Sequence, residues 1–174
     1  LSNVSLLLAS SQPDRAQRLF IESGIDQLKH NFITWDWIQE SRIKIALGCG
    51  NLDEAVKLCD HEIKNLRLLR NLSRVHHVYL LKGKAHLRVG EFESASAALD
   101  EAGKAASELD ARWILWQIYA AQSELAASMG DSSGAGRLRE GASRLIKEIS
   151  AQISQPDLKE SFMLRPDVAA VLGG

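Results

Sequence analysis

The chain has 174 residues, a formal charge of −1, 45% hydrophobic and 6% aromatic residues, and only 3 prolines. That is the size of one domain with enough apolar side chains for a sizeable core. The near-neutral balance excludes a nucleic-acid-binding surface spread over the whole domain, and strand-like runs of Val, Thr and Tyr are missing.

From the N-terminus, the apolar run 4–8 is too short to span a bilayer and lacks a basic flank, so that run reads as neither a membrane span nor a signal sequence. A start at Leu1 rather than Met reads as a piece of a longer protein. Apolar residues at helical spacing predict helices over 2–9, 13–29, 34–47, 52–70, 73–89, 92–108, 111–129 and 133–153. Pro156 and Pro166 then open two short helices, 157–163 and 166–172. Within 73–89 the set Val78, Leu81 and Ala85 forms one stripe, and Ala95, Leu99, Ala102 and Ala106 form another in the next helix. Gly83 sits inside a helix, where glycine costs about 1 kcal/mol against alanine. A close crossing with a neighbouring helix is the expected reason. The expected fold class is therefore all-α.

Three connectors repeat: Gly50-Asn51-Leu52-Asp53-Glu54-Ala55, Gly90-Glu91-Phe92-Glu93-Ser94-Ala95 and Gly130-Asp131-Ser132-Ser133-Gly134-Ala135. Their glycines are 40 residues apart, and a degenerate copy precedes them at Ser11-Gln12-Pro13-Asp14-Arg15-Ala16. Each reads as a turn between two helices. The glycine ends one helix in the left-handed conformation. Asn51, Asp53, Glu54, Glu91, Glu93 and Asp131 supply caps or negative charge to the next helix, and the alanine lets the two helices approach closely. The expected organisation is a single repeat domain over 1–174. It has a partial first pair at 1–30, full pairs at 34–70, 73–108 and 111–153, and a C-terminal cap at 156–172 built on Phe162, Met163, Leu164, Val168, Val171 and Leu172.

A large aromatic, a mid-helix glycine and then Ala-x3-apolar in the second helix is the tetratricopeptide pattern. Tyr79, Gly83, Ala95, Leu99 and Ala102 resemble it most. The second pair keeps Ala55 with Cys59 at the apolar position. The fourth keeps Tyr119, Ala126, Ala135 and Ala142 but has Arg139 where an apolar residue is expected. The closing proline is missing, and the period of 40 exceeds the usual 34, which a HEAT-like array would also fit. The resemblance implies an α-α superhelix, a solenoid of about four antiparallel helix pairs. The long period and the ending from Leu158 to Val168 are further similar to sensor regions of bacterial ATP-dependent LuxR-type activators and related signalling ATPases. That likeness implies a cytoplasmic regulatory protein.

In such a solenoid the first helix of each pair lines the concave face. The candidate partner-binding residues there are Trp37, Glu40, Lys44, His77, Lys84, Arg88, Gln117 and Glu124. Lys44 and Lys84 occupy equivalent places, and with Arg88 they could hold a carboxylate or phosphate. Of Trp35 and Trp37, and of Trp113 and Trp116, one ring each is expected inward; the other either packs between repeats or is exposed without a role, or could serve as an anchor for a partner. A basic stretch over 59–90 contains Lys64, Arg67, Arg70, Arg74, Lys82, Lys84 and Arg88. No metal site is expected: Cys59 and His61 lie about 200° apart on a helix, His76 and His77 are adjacent, and no Cys-x2-Cys or His-x3-His pair exists. No catalytic residues or cofactors are expected, since nucleophile turns, phosphate loops and dinucleotide fingerprints are missing. The two cysteines, Cys49 and Cys59, are no disulfide framework and suit a cytosolic setting. The readings in competition are a scaffold for a protein or peptide partner, a sensor of a small-molecule effector, and a self-association module.

Overall fold

The computed structural model describes Val4, residues 12–24 and residues 35–173, with 35–37 as backbone. The expected helix at 2–9, the far end of the helix starting at Pro13, and the rings of Trp35 and Trp37 lie outside the described residues. The rest is all-helical: α1 (Pro13–Glu22), α2 (Trp35–Gly48), α3 (Leu52–Leu68), α4 (Val75–Val89), α5 (Phe92–Glu108), α6 (Arg112–Ser128), α7 (Ser132–Gln152), α8 (Pro156–Met163) and α9 (Pro166–Leu172). From α2 onward the helix ends fall within two residues of the expected ones. Ser73 and Arg74, expected to open α4, belong instead to a short 3-10 turn, Leu72–Arg74.

What ends these helices recurs more often than the sequence suggested. Gly50, Gly90 and Gly130 are left-handed, with φ of 78°, 87° and 84°. Arg70 and Asp110 are left-handed too, with φ of 53° and 48°. A left-handed residue therefore closes a helix every 20 residues from 50 to 130. At each, the N–H of the following residue reaches back five residues: Asn51 to Ala46, Asn71 to Leu66, Glu91 to His86, Ala111 to Ala106 and Asp131 to Ala126. These bonds satisfy carbonyls that have no partner within the helix. The capping residues divide differently. Asp131 accepts from the Gly134 N–H at 2.8 Å, whereas Asn51 and Glu91 stand at N-cap positions without a side-chain capping bond. Asp53, Glu54 and Glu93 contribute charge in the first turn.

Packing follows the same register. Each helix packs on its successor from α1 to α7, and the first helices α2, α4 and α6 also touch each other in turn. Buried positions repeat at 40: Ile38, Val78 and Ile118; Ile45, Ala85 and Leu125; Leu66, Ala106 and Ile146. The cores pass from pair to pair. α3 is sandwiched between Ile43, Ala46 and Leu47 of α2 and Val75, Val78 and Leu81 of α4. α5 offers Ala95, Leu99, Ala102 and Ala106 to Ile114, Ile118 and Ala121 of α6. Ala55 and Ala95 are fully enclosed, while Ala135 is only half-buried. At that third connector the Ala135 carbonyl accepts the Ser123 hydroxyl at 2.8 Å. Ser123 is the 40-residue equivalent of Gly83, so a hydrogen bond replaces bare backbone contact there.

The Gly83 crossing is tight. A Cβ placed on Gly83 would stand 2.7 Å from both Cγ and Cδ2 of Leu99, and Leu99 is fully buried. Gly83→Ala therefore gains about 1 kcal/mol of helix propensity but forces overpacking worth roughly 1–3 kcal/mol. The expected result is a net loss of about 1 kcal/mol, measured by urea unfolding. At Arg70 the balance runs the other way. A left-handed L-residue costs about 1–2 kcal/mol, and glycine gives back about 0.5–1 kcal/mol in chain entropy. Arg70→Gly should raise stability by about 0.5 kcal/mol, seen as a melting point roughly 1–2 °C higher.

Candidate functional site

Two polar clusters lie on the face shared by α2, α4 and α6. The first centres on Glu40, which α2 places against the start of α4. The residue is only 5% exposed. It pairs with Lys44 at 2.5 Å, accepts from the Arg74 guanidinium, and faces His77 Nδ1 at 3.0 Å. His77 carries its own charge poorly. Burial, then Lys44, Arg74 and Lys84, push its pKa down to about 3. Two cations already hold the Glu40 carboxylate, so the contact is best described as a neutral His77 donating its Nδ1–H. That tautomer leaves Nε2 bare, and among the described residues Nε2 has no hydrogen-bond partner.

His76 is more isolated still. It is buried, and neither ring nitrogen finds a partner among the described residues. Its neighbours are the rings of His77 and Trp113, each with centroids 5.7 Å away and nearly perpendicular. Burial, then His77 and Arg74, lower its pKa to about 4. Trp113 also lies over His77 at 5.1 Å, yet stays 52% exposed. Trp116 is buried, so this tryptophan pair does place one ring inward and one outward.

The second cluster surrounds Lys84. A cavity of about 190 Å³ is lined by Lys84 of α4, Trp116, Gln117 and Glu124 of α6, Arg139 of α7, and Asp167, Ala170 and Val171 of α9. Burial lowers the Lys84 pKa, Glu124 and then Asp167 act in the opposite direction, and Lys44 adds to the lowering. Burial and then Arg165 lower that of Lys44. The 40-residue step makes Lys44, Lys84 and Glu124 one row across three first helices, and α9 extends it with Asp167.

The candidate residues thus separate. Lys84, Gln117 and Glu124 come together in the cavity. Glu40, Lys44 and His77 are joined in the neighbouring ion cluster. Arg88 turns away to donate to the Leu47 carbonyl, bracing the end of α2, and the Trp37 ring lies outside the described residues. The basic stretch over 59–90 resolves into separate contacts: Arg67 with the Tyr79 hydroxyl at 2.6 Å, Lys82 with Asp60 at 2.6 Å, Arg74 with Glu40, and Arg88 as above. It is not a continuous cationic surface. Arg74, Arg139, Arg165 and Asp167 were not among the candidate binding residues. For Arg139 a signal existed, a charge at a position where the repeat has Cys59 and Leu99. For Arg165 and Asp167 the only signal was the Arg-Pro-Asp start of a helix.

The cysteines do not enter the site. Cys59 is in the core, and burial first, then Asp60, hold its thiol at about 12, far from the thiolate a nucleophile or metal ligand needs. Cys49 Sγ faces Gln17 Oε1 at 3.6 Å and Asp14 Oδ1 at 3.8 Å. Among the described residues no helix is long and apolar enough to cross a membrane. Comparison of the chain with protein-family models, with curated proteins and with solved structures finds no match.

The depressed histidines make stability pH-dependent in a definite direction. Their folded pKa values, about 4 and about 3, lie below the unfolded value near 6.5. The unfolded chain therefore binds more protons in that window, and stability, full above pH 6.5, falls as pH drops toward 4 and then 3. His76→Phe removes two buried polar atoms without hydrogen-bond partners. It should hold or raise stability at pH 7 by about 1 kcal/mol. The loss between pH 6.5 and 4 should also be shallower than in the wild type, read from urea midpoints at both pH values.

Proposed function

We propose that this chain is a non-enzymatic helical-repeat scaffold of the tetratricopeptide kind, one module of a larger bacterial regulatory protein. In this reading it binds a peptide or partner domain across the face of its first helices. The observation that carries it is the row Lys44, Lys84 and Glu124, three charges set at a 40-residue step on helices that touch each other. The recurrence of buried positions at the same step supports an array in which each pair leans on the next and presents one continuous surface. Its curvature and its place in a superhelix rest on the resemblance of the repeats to the tetratricopeptide pattern.

Size favours a side chain over a metabolite as the occupant. A cavity of about 190 Å³ falls below the roughly 300 Å³ at which pockets begin to enclose a drug-sized ligand. Specificity in such a site comes from charge placed around a small apolar recess lined by Trp116, Ala170 and Val171, with Lys84 and Arg139 as its cations. Lys44 and Arg88 already have partners within the chain.

The test is affinity capture with the full chain beside Lys44→Glu/Lys84→Glu and Lys84→Glu alone. A partner held through this face should lose at least tenfold in retention, roughly 1.4 kcal/mol or more, with Lys84→Glu accounting for most of it. Circular dichroism should show the variants as helical as the wild type. Retention that ignores both substitutions would move the binding surface elsewhere.

A further inference from the structure

The C-terminal pair α8–α9 is attached lightly. α8 buries no residue and α9 buries one, Val168. Val168 is enclosed by Trp116, Ala142 and Ile146, with Val171 and Leu172 half-buried at the edge of the same cluster. Between α7 and α8 the backbone is extended at Ile153 and Gln155, so a strap rather than a continuous helix joins the pair to the array. Units with few buried apolar contacts open at low free-energy cost.

Where α9 lies is the informative point. It rests on α7 and reaches the charged row of the first helices. The Arg165 guanidinium stands 5.9 Å from the centre of the Trp116 ring and donates to Asp167 at 2.6 and 3.0 Å, and Asp167 lines the cavity together with Lys84. The fit is incomplete. Ala170 lines the cavity beside Lys84 and Glu124 without filling it.

We propose that the Lys84–Trp116 face is a docking site for one short amphipathic helix, and that α9 occupies it as the chain's own version of that ligand. The chemistry is a carboxylate in the first turn, where Asp167 sits, followed by aliphatic side chains at the next position and one turn further on, where Val168 and Val171 sit. A stronger ligand carries a larger apolar residue at the place of Ala170, filling the space that α9 leaves. This rests on the scaffold reading and adds to it the nature of the partner and its competition with the tail.

The experiment titrates a fluorescent peptide of residues 164–174 with the full chain and follows anisotropy. Val168→Asp, which ejects α9 by charging a buried position, should bind the peptide at least tenfold more tightly than wild type. Adding Lys84→Glu should remove that gain, and a peptide carrying Ala170→Leu should bind more tightly than the native one. A helical, cooperatively melting Val168→Asp chain that binds the peptide no better than wild type overturns the proposal. So does a wild-type dimer that Val168→Asp abolishes without exposing a peptide site, which would assign the face to a second copy. Should Val168→Asp fail to fold, limited trypsinolysis at Lys159 decides. Lys84→Glu, which sets a third carboxylate beside Glu124 and Asp167 in the cavity, should speed cleavage, whereas an unchanged rate overturns the proposal. Partner capture that depends on Lys84 while the peptide binds no variant leaves the scaffold reading standing and removes this one. Peptide binding without any Lys84-dependent partner does the reverse.

Discussion

A helix cannot end without doing something for its last carbonyls, and this chain does the same thing five times at a spacing of twenty residues. Each left-handed residue folds the backbone so that the next N–H closes on the carbonyl five residues back. Because the spacing is constant, successive first helices start and stop at matching heights. Side chains forty residues apart therefore meet across the array, whether apolar like Val78 and Ile118 or charged like Lys44 and Lys84. Three of the five turns use glycine. Arg70 and Asp110 adopt the same conformation against their intrinsic preference, which shows how strongly the flanking packing dictates the turn.

Much of this was legible because the turn chemistry and the helix period agree. Gly50, Gly90 and Gly130 announce themselves, and the helix boundaries follow from them to within two residues. The intermediate turns were hidden, since Arg70 has no left-handed tendency and Asp110 only a modest one. The close approach at Gly83 was foreseeable from an interior glycine, but its partner was not; that required knowing which face of α5 carries Leu99. Ala135 shows the opposite case. The motif repeats there, yet Ser123 stands opposite in place of a glycine, and the alanine is only half-buried.

The site was harder to read than the fold, for a physical reason. A charge in sequence has no partner until distant helices meet. Arg88 looked like a ligand-binding cation and instead holds a carbonyl of α2. Glu40 looked like a surface acid and is nearly buried beneath Lys44, Arg74 and His77. Desolvation decides these outcomes: a buried carboxylate must collect donors, and Glu40 engages Lys44, Arg74 and His77. Lys84 differs in lining a cavity together with Glu124 and Asp167. The two histidines mark the other limit, where polar rings are packed as if they were aromatic hydrocarbons.

The last long helix breaks the rhythm. α3 and α5 stop at Leu68 and Glu108, whereas α7 runs past the equivalent position 148 to Gln152. Four extra residues are about one turn and about 6 Å of additional rise. The backbone that follows thus sets off from the wrong height and the wrong azimuth to lay down another hairpin of the same series. α7 acts as a phase stop, so a repeat unit grafted directly behind Gln152 would dock only after that overhanging turn had been cut away.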